Sequence, residues 1–211
     1  MTYRSTPELL TLHAVRLLGF AGSTAIADRF GTGRDATARA LHEAAGAGWV
    51  QHVAFADLDG WSLTDSGKAE NERRLAAERR TADPEHAVAA VYRDFRPLNA
   101  RLLRAVTDWQ IRPTESDKFA PNEHTDHRWD ERVLDELTAL GGELAPVTER
   151  LSAVLGRFDG YSARYDSALH RARNGQPEWI DKTDLDSCHR VWFQLHEDLI
   201  ATLGIDRGNE M

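Results

Sequence analysis

The residues best suited to chemistry in this 211-residue chain fall into four groups. In the first, Arg34, Asp35, Ala38, Arg39 and His42 occupy the side of a helical segment opposite Thr37, Leu41 and Ala44. Guanidinium groups on an exposed helix face can donate in pairs to guanine edges or to phosphate. Just upstream, Ser23 and Thr24 follow Gly22 at the start of another helical segment. Free backbone N–H groups at a helix N-terminus suit a phosphate. In the second group, His189, Trp192, Phe193 and His196 stand at i, i+3, i+4 and i+7. That face, with Trp109, would line a pocket for an apolar or aromatic effector, or it would pack as helix-bundle core.

The third group is a polar stretch holding Glu123, His124, Asp126 and His127. Zinc sites need further Cys or His at matching spacing, and none lies nearby, so the expectation is no metal and no other cofactor. The fourth is Ser187-Cys188-His189. Neighbours on a helix point about 100° apart, which does not set a base against a nucleophile. The chain has no Gly-x-Ser-x-Gly, no His-Glu-x-x-His, no phosphate-binding glycine loop and no dinucleotide fingerprint. No residue is expected to be catalytic, and the chain does not read as an enzyme.

The elements that would carry these groups change character along the chain. An amphipathic helix covers Leu9 to Leu18 and ends at Gly19. A short helix follows from Ser23 to Phe30, with Ile26, Ala27 and Phe30 inward. After the Gly31-Thr32-Gly33 turn, a third helix runs from about Arg34 to Ala47. Val50 to Phe55 alternates as a strand, Asp57-Leu58-Asp59-Gly60 reads as a turn, and Trp61-Ser62-Leu63 returns. Thr64 then caps a helix that carries Leu75. Beyond it the pattern is helical throughout, with spans near 84–110, 127–140, 143–157, 160–174 and 184–203 and a polar loop at 112–126. Gly141-Gly142, Asp159-Gly160 and Asn174-Gly175-Gln176-Pro177 punctuate it.

Charge divides in the same place. Residues 1–80 hold 10 basic and 10 acidic residues; the remainder hold 16 and 24, which accounts for the whole net charge of −8. Asp83-Pro84 disfavours uninterrupted helix at the junction. This gives a first domain over 1–80 and an all-helical domain over 81–211. No apolar run approaches the roughly 20 residues of a membrane span. The start has no apolar stretch before a small-residue cleavage site, and Cys188 is the only cysteine. Both point to the reducing cytoplasm.

Two pieces of the first domain resemble a known family. Leu41-His42-Glu43-Ala44-Ala45-Gly46-Ala47-Gly48-Trp49-Val50 resembles the recognition-helix exit of bacterial winged-helix regulators. Leu63-Thr64-Asp65-Ser66-Gly67 resembles the Leu-Thr-x-x-Gly that follows the wing in MarR-like and PadR-like regulators. The resemblance covers residues 8–78. It implies a winged helix-turn-helix with a small β-hairpin wing, in a mainly α chain whose second domain is a helical bundle. Thr107-Asp108-Trp109-Gln110-Ile111-Arg112, Asn122-Glu123-His124-Thr125-Asp126 and the segment from Asp186 resemble a helical region of actinobacterial proteins. There it follows a winged helix, and in some relatives it accompanies the swivelling domain of pyruvate phosphate dikinase-like proteins.

The expectation is therefore a dimeric transcriptional regulator that binds double-stranded DNA and answers to a small-molecule effector. Arg34 and Arg39 would read or clamp DNA, with Asp35, Ala38 and His42 on the same face. Ser23 and Thr24 would contact phosphate. Trp109, His189, Trp192 and His196 would form the effector pocket. The competing expectation is a winged-helix module that binds protein instead of DNA, linked to a phosphoenolpyruvate- or pyruvate dikinase-like system. Its evidence is the acidic hairpin tip, Asp57 and Asp59, and the neutral charge of the first domain.

Overall fold

Thr6 starts the first helix, α1 (Pro7–Leu18): its side chain accepts from the Leu9 N–H, and Pro7 supplies a preset φ at the first helical position. The computed structural model describes residues 2–55 and 58–205. Gly19 closes α1 at φ 76°, a conformation that suits glycine. Two further helices, α2 (Ser23–Phe30) and α3 (Arg34–Gly46), are joined by Gly31 and Gly33, both at positive φ. The Thr32 and Thr37 hydroxyls, 2.6 Å apart, tie that turn to the first turn of α3. Strands β1 (Val50–Phe55) and β2 (Leu58–Leu63) form an antiparallel hairpin, and α4 (Asp65–Ala82) follows. Helices α5 (Ala87–Gln110), α6 (His127–Val154), α7 (Tyr161–Arg173) and α8 (Cys188–Leu203) complete the order. The chain is mainly helical with one small hairpin, as expected. None of the described helices is long and apolar enough to cross a membrane.

Two compact units divide these elements. The hairpin unit comprises Met1–Val88 together with Ala153–Arg157 and Glu197–Met211; the helical unit comprises Ala89–Ser152 and Phe158–His196. Inside the hairpin unit, Leu12, Ala14 and Val15 of α1 meet Ile26, Leu41, Ala44 and Val50 in one apolar cluster. Removing a Leu, Ile or Val side chain from water is worth about 1.5–3 kcal/mol, so this cluster fixes α1, α2, α3 and β1 together. A smaller cluster joins Leu9, Leu75 and Ala201. In the helical unit, α5, α6, α7 and α8 bury Phe95, Leu102, Leu137, Leu144, Tyr165 and Trp192.

Two expectations about boundaries are corrected. The strand pairing runs out to Phe55↔Leu58, so Leu58, Asp59 and Gly60 belong to β2 and not to a turn. Helix α6 continues through Gly141-Gly142 where a break was expected. The cause is packing: a Cβ on Gly141 would stand 3.2 Å from both the Tyr165 ring and the Asp166 carboxylate. Glycine is there for the approach of α7 and does not end a helix.

The two sequence pieces flanking the hairpin meet in space. The Thr64 hydroxyl donates to the Gly48 carbonyl at 2.7 Å and accepts from the Gly67 N–H at 3.0 Å; the Thr64 N–H donates to the Trp49 carbonyl at 3.0 Å. Ser66 adds a second hydroxyl on the Gly48 carbonyl at 2.9 Å. A Cβ at position 67 would lie 1.8 Å from the Trp49 carbonyl oxygen, so only glycine fits. The α3 exit and the α4 entrance are thereby locked as one joint, which sets the hairpin's base.

Candidate functional site

Helix α3 separates its faces cleanly. Thr37, Ala40, Leu41 and Ala44 are buried, while Arg34, Asp35, Ala38, Arg39 and His42 are all exposed. Neither Arg34 nor Arg39 is held in an ion pair among the described residues. Three other arginines of the unit are engaged. Arg16 pairs with Glu72 at 2.9 Å and Glu197 at 2.8 Å, and both Arg73 and Arg74 pair with Glu70 at 2.7 Å. Through those bonds Arg73 and then Arg74 pull the Glu70 carboxyl down to about 2 against the opposing effect of burial. Ser23 and Thr24 are exposed at the start of α2, and the Ser23 hydroxyl accepts from the Trp61 indole N–H at 3.0 Å. That bond ties the start of α2 to the hairpin, as does the pairing of Ala21 with Trp61.

The hairpin is apolar toward its tip. Phe55 is 77% exposed, Leu58 57% and Val53 38%. Asp59 is engaged by His52 at 2.7 Å, and the His52 ring stacks on Trp61 at 4.4 Å. Asp57 lies outside the described residues.

Beneath this surface the hairpin unit contains a buried ionic network that periodicity did not reveal. His13 of α1 faces Asp198 of α8 through Nε2 at 3.0 Å and Asn71 of α4 through Nδ1 at 3.3 Å. Arg157 donates to Asp198 at 3.2 Å, to the Thr202 hydroxyl at 2.6 Å and to Glu78 of α4. His13, Asp198 and Arg157 are fully buried and Glu78 nearly so. Burial by itself raises the Asp198 carboxyl. His13 and Arg157 beside it, with a smaller effect from Arg29, outweigh that and hold it well below the usual carboxylate range. An i, i+4 glance at α8 gives no sign of this, because Asp198 sits between Glu197 and Leu199 as one more acid of a polar-looking stretch.

In the helical unit the four residues expected to line an effector pocket are distributed otherwise. Trp192 is 1% exposed and donates its indole N–H to Asn99 at 3.0 Å. Its ring packs on Phe95 at 5.2 Å and edge-on to Tyr165 at 5.8 Å. His196 is half-buried over Phe95 at 5.7 Å and Tyr92 at 6.3 Å. Those two therefore come together as aromatic packing. Trp109 is buried against the His124 ring at 4.4 Å. Burial lowers the His189 pKa, with Asp181 opposing.

The 112–126 segment is held by structural bonds. Asp126 accepts from the Trp129 and Arg128 N–H groups at the start of α6 and pairs with Arg112 at 2.6 Å. His124 lies 3.1 Å from Asp130, which also accepts from Asn122 at 2.9 Å. No group of three or more His, Cys, Asp or Glu among the described residues is placed to hold a metal ion. Cys188 is fully buried, and that burial pushes its thiol up to about 12. It is a small apolar filler, not a nucleophile.

Comparison with protein-family models, with curated proteins and with solved structures gives no significant match.

Proposed function

We propose that the hairpin unit is a winged helix-turn-helix that binds double-stranded DNA, and that the chain is a homodimeric transcriptional regulator. One observation carries this reading: α3 buries Thr37, Ala40, Leu41 and Ala44 and leaves Arg34, Ala38, Arg39 and His42 outward, with both guanidinium groups unpaired among the described residues. A helix of this kind fits the major groove, and small residues such as Ala38 permit the backbone to approach bases. Ser23 and Thr24 are exposed at the N-terminus of α2, where N–H groups reach phosphate. In a dimer, two such helices would address half-sites about 34 Å apart.

The test is fluorescence anisotropy of labelled duplex DNA, beginning with the region upstream of the protein's own gene. Binding is expected to weaken as salt rises. Arg39→Ala and Arg34→Ala each lower affinity by roughly 5- to 150-fold if they read bases, or more evenly across sequences with a shallower salt slope if they clamp phosphate. Absence of any salt-dependent binding at low ionic strength refutes the proposal.

A second reading, a protein-interaction module, is favoured by the hairpin. Phe55, Leu58 and Val53 are exposed there beside Asp59, an apolar and acidic tip that suits a protein surface better than a phosphate backbone. Absence of DNA binding in the parent protein, together with loss of a co-purifying partner in a Phe55→Ser variant, supports this second reading.

A further inference from the structure

Within the helical unit, α5 and α6 border a pocket of about 220 Å³ that is open to solvent on one side. Its walls are two stripes of identical spacing, i, i+3, i+4 and i+7. Helix α5 contributes Arg101, Arg104, Ala105 and Asp108. Helix α6 contributes Trp129, Arg132, Val133 and Glu136. The three guanidinium groups are not equivalent. Arg101 is spent on Glu136 at 2.7 Å and Glu143 at 2.5 Å. Arg104 and Arg132 have no carboxylate within ion-pair distance among the described residues. Arg132 is instead laid on the Trp129 ring, 4.7 Å from its centroid. The indole is itself fixed by its N–H on the Asp108 carbonyl at 2.6 Å. A guanidinium stacked on an aromatic ring keeps its N–H edge free and already oriented.

We infer that this cavity binds a compact oxyanion, a carboxylate or phosphate carrying a short apolar body, clamped by Arg104 from α5 and Arg132 from α6. Two guanidinium groups from facing helices match the two oxygens of such a group, which bidentate pairing favours. Ala105 and Val133 supply an apolar wall for the body. Size restricts the ligand. Pockets for drug-sized molecules run about 300–1,000 Å³, and a cavity of about 150 Å³ holds benzene. A four-carbon acid fits within it. The exposed Asp108 also lines the pocket and works against a second negative charge there. The site stands whether or not the hairpin unit binds DNA.

Isothermal titration of the full chain at low ionic strength, with butyrate and with inorganic phosphate, tests it. Butanol and butylamine serve as neutral and cationic counterparts. Butyrate or phosphate binds with a millimolar dissociation constant, and the tighter of the two identifies the head group. Arg104→Gln and Arg132→Gln each weaken binding by ~10-fold or more. Both side chains are exposed, so thermal melting of these variants stays at the wild-type value. Arg93→Gln, on α5 outside the cavity, leaves binding unchanged. The inference is overturned if neither anion binds at ~50 mM, a concentration that nearly saturates a millimolar site. It is also overturned if butylamine binds as well as butyrate, or if Arg93→Gln weakens binding as much as Arg104→Gln.

Discussion

Arg157→Met is the sharpest test of how the hairpin unit is held together. The substitution keeps an apolar stem and removes the cation shared by Asp198 and Glu78. Both carboxylates then remain buried, and one Glu78 oxygen, Oε1, already has no hydrogen-bond partner. Removing one member of a buried ion pair costs about 3–5 kcal/mol because the other charge stays desolvated. Against total stabilities of about 5–15 kcal/mol this is a large fraction. At about 2–4 °C per kcal/mol for a chain of this size, melting should fall by roughly 6–20 °C.

The pH dependence gives a second, independent readout. In the wild type the Asp198 carboxyl is held below its ordinary value, so its stabilising contribution is complete above that ordinary value. It is lost only in strong acid, as pH falls through the depressed one. In Arg157→Met the same carboxyl loses a cation that lowers it while burial, which raises it, remains. His13, the larger of the two charges that lower it, stays 3.0 Å away, so the carboxyl moves up toward its ordinary value and acid unfolding begins at a higher pH than in the wild type. Urea unfolding at pH 7 and acid titration, both followed by circular dichroism, measure the two effects. Adding Glu78→Leu to Arg157→Met should return ~1–4 kcal/mol, since replacing a buried pair outright is far milder than breaking it. A single variant within ~1 kcal/mol of wild type at pH 7, or an acid-unfolding midpoint no higher than that of the wild type, refutes the reasoning.

Three further outcomes follow from local geometry. Gly67→Ala drives a Cβ into the Trp49 carbonyl and should destabilise by ~1–3 kcal/mol or more in chemical denaturation, whereas Gly142→Ala, which meets nothing within 4 Å, should not destabilise. Cys188 should resist an aromatic disulfide reagent in the native protein at pH 8 and react fully in denaturant; reaction within minutes in the native state would show the thiol is not buried. Trp192→Ala should cost about 3–5 kcal/mol in a thermal or chemical melt as a core truncation, and a near-neutral result would reopen a pocket role for that face.

What was legible in the sequence was whatever local chemistry dictates. The α3 faces follow from the i, i+4, i+7 spacing of Thr37, Leu41 and Ala44, and the five outward residues fall where that spacing puts them. The joint at the hairpin base was visible as two short pieces because Thr64, Ser66 and Gly67 are each demanded by a backbone atom of Gly48 or Trp49. The extent of the hairpin is not legible because Leu58-Asp59-Gly60 has turn composition; Gly60 lies in β2, where a Cβ would meet the Phe20 ring at 2.6 Å. Gly141 misled for the same reason. A glycine that makes room for a neighbour looks identical, in one dimension, to a glycine that ends a helix.

The residues that escaped are those whose partners are far away along the chain. Asp198 meets His13 across 185 positions of sequence and Arg157 across 41, so no window around α8 contains its reason for being there. Periodicity has a related limit: it finds a face without saying whether that face is filled. His189, Trp192 and His196 mark a helix face, yet Phe95, Tyr92 and Tyr165 occupy the space in front of Trp192 and His196. The stripes of Arg104 and Arg132 have the same spacing and look like ordinary solvated charge, but the space in front of them is empty. A pocket requires two faces whose side chains stop short of each other. In the helical unit that condition is met between α5 and α6, which makes the guanidinium pair a stronger candidate for ligand binding than the buried tryptophan.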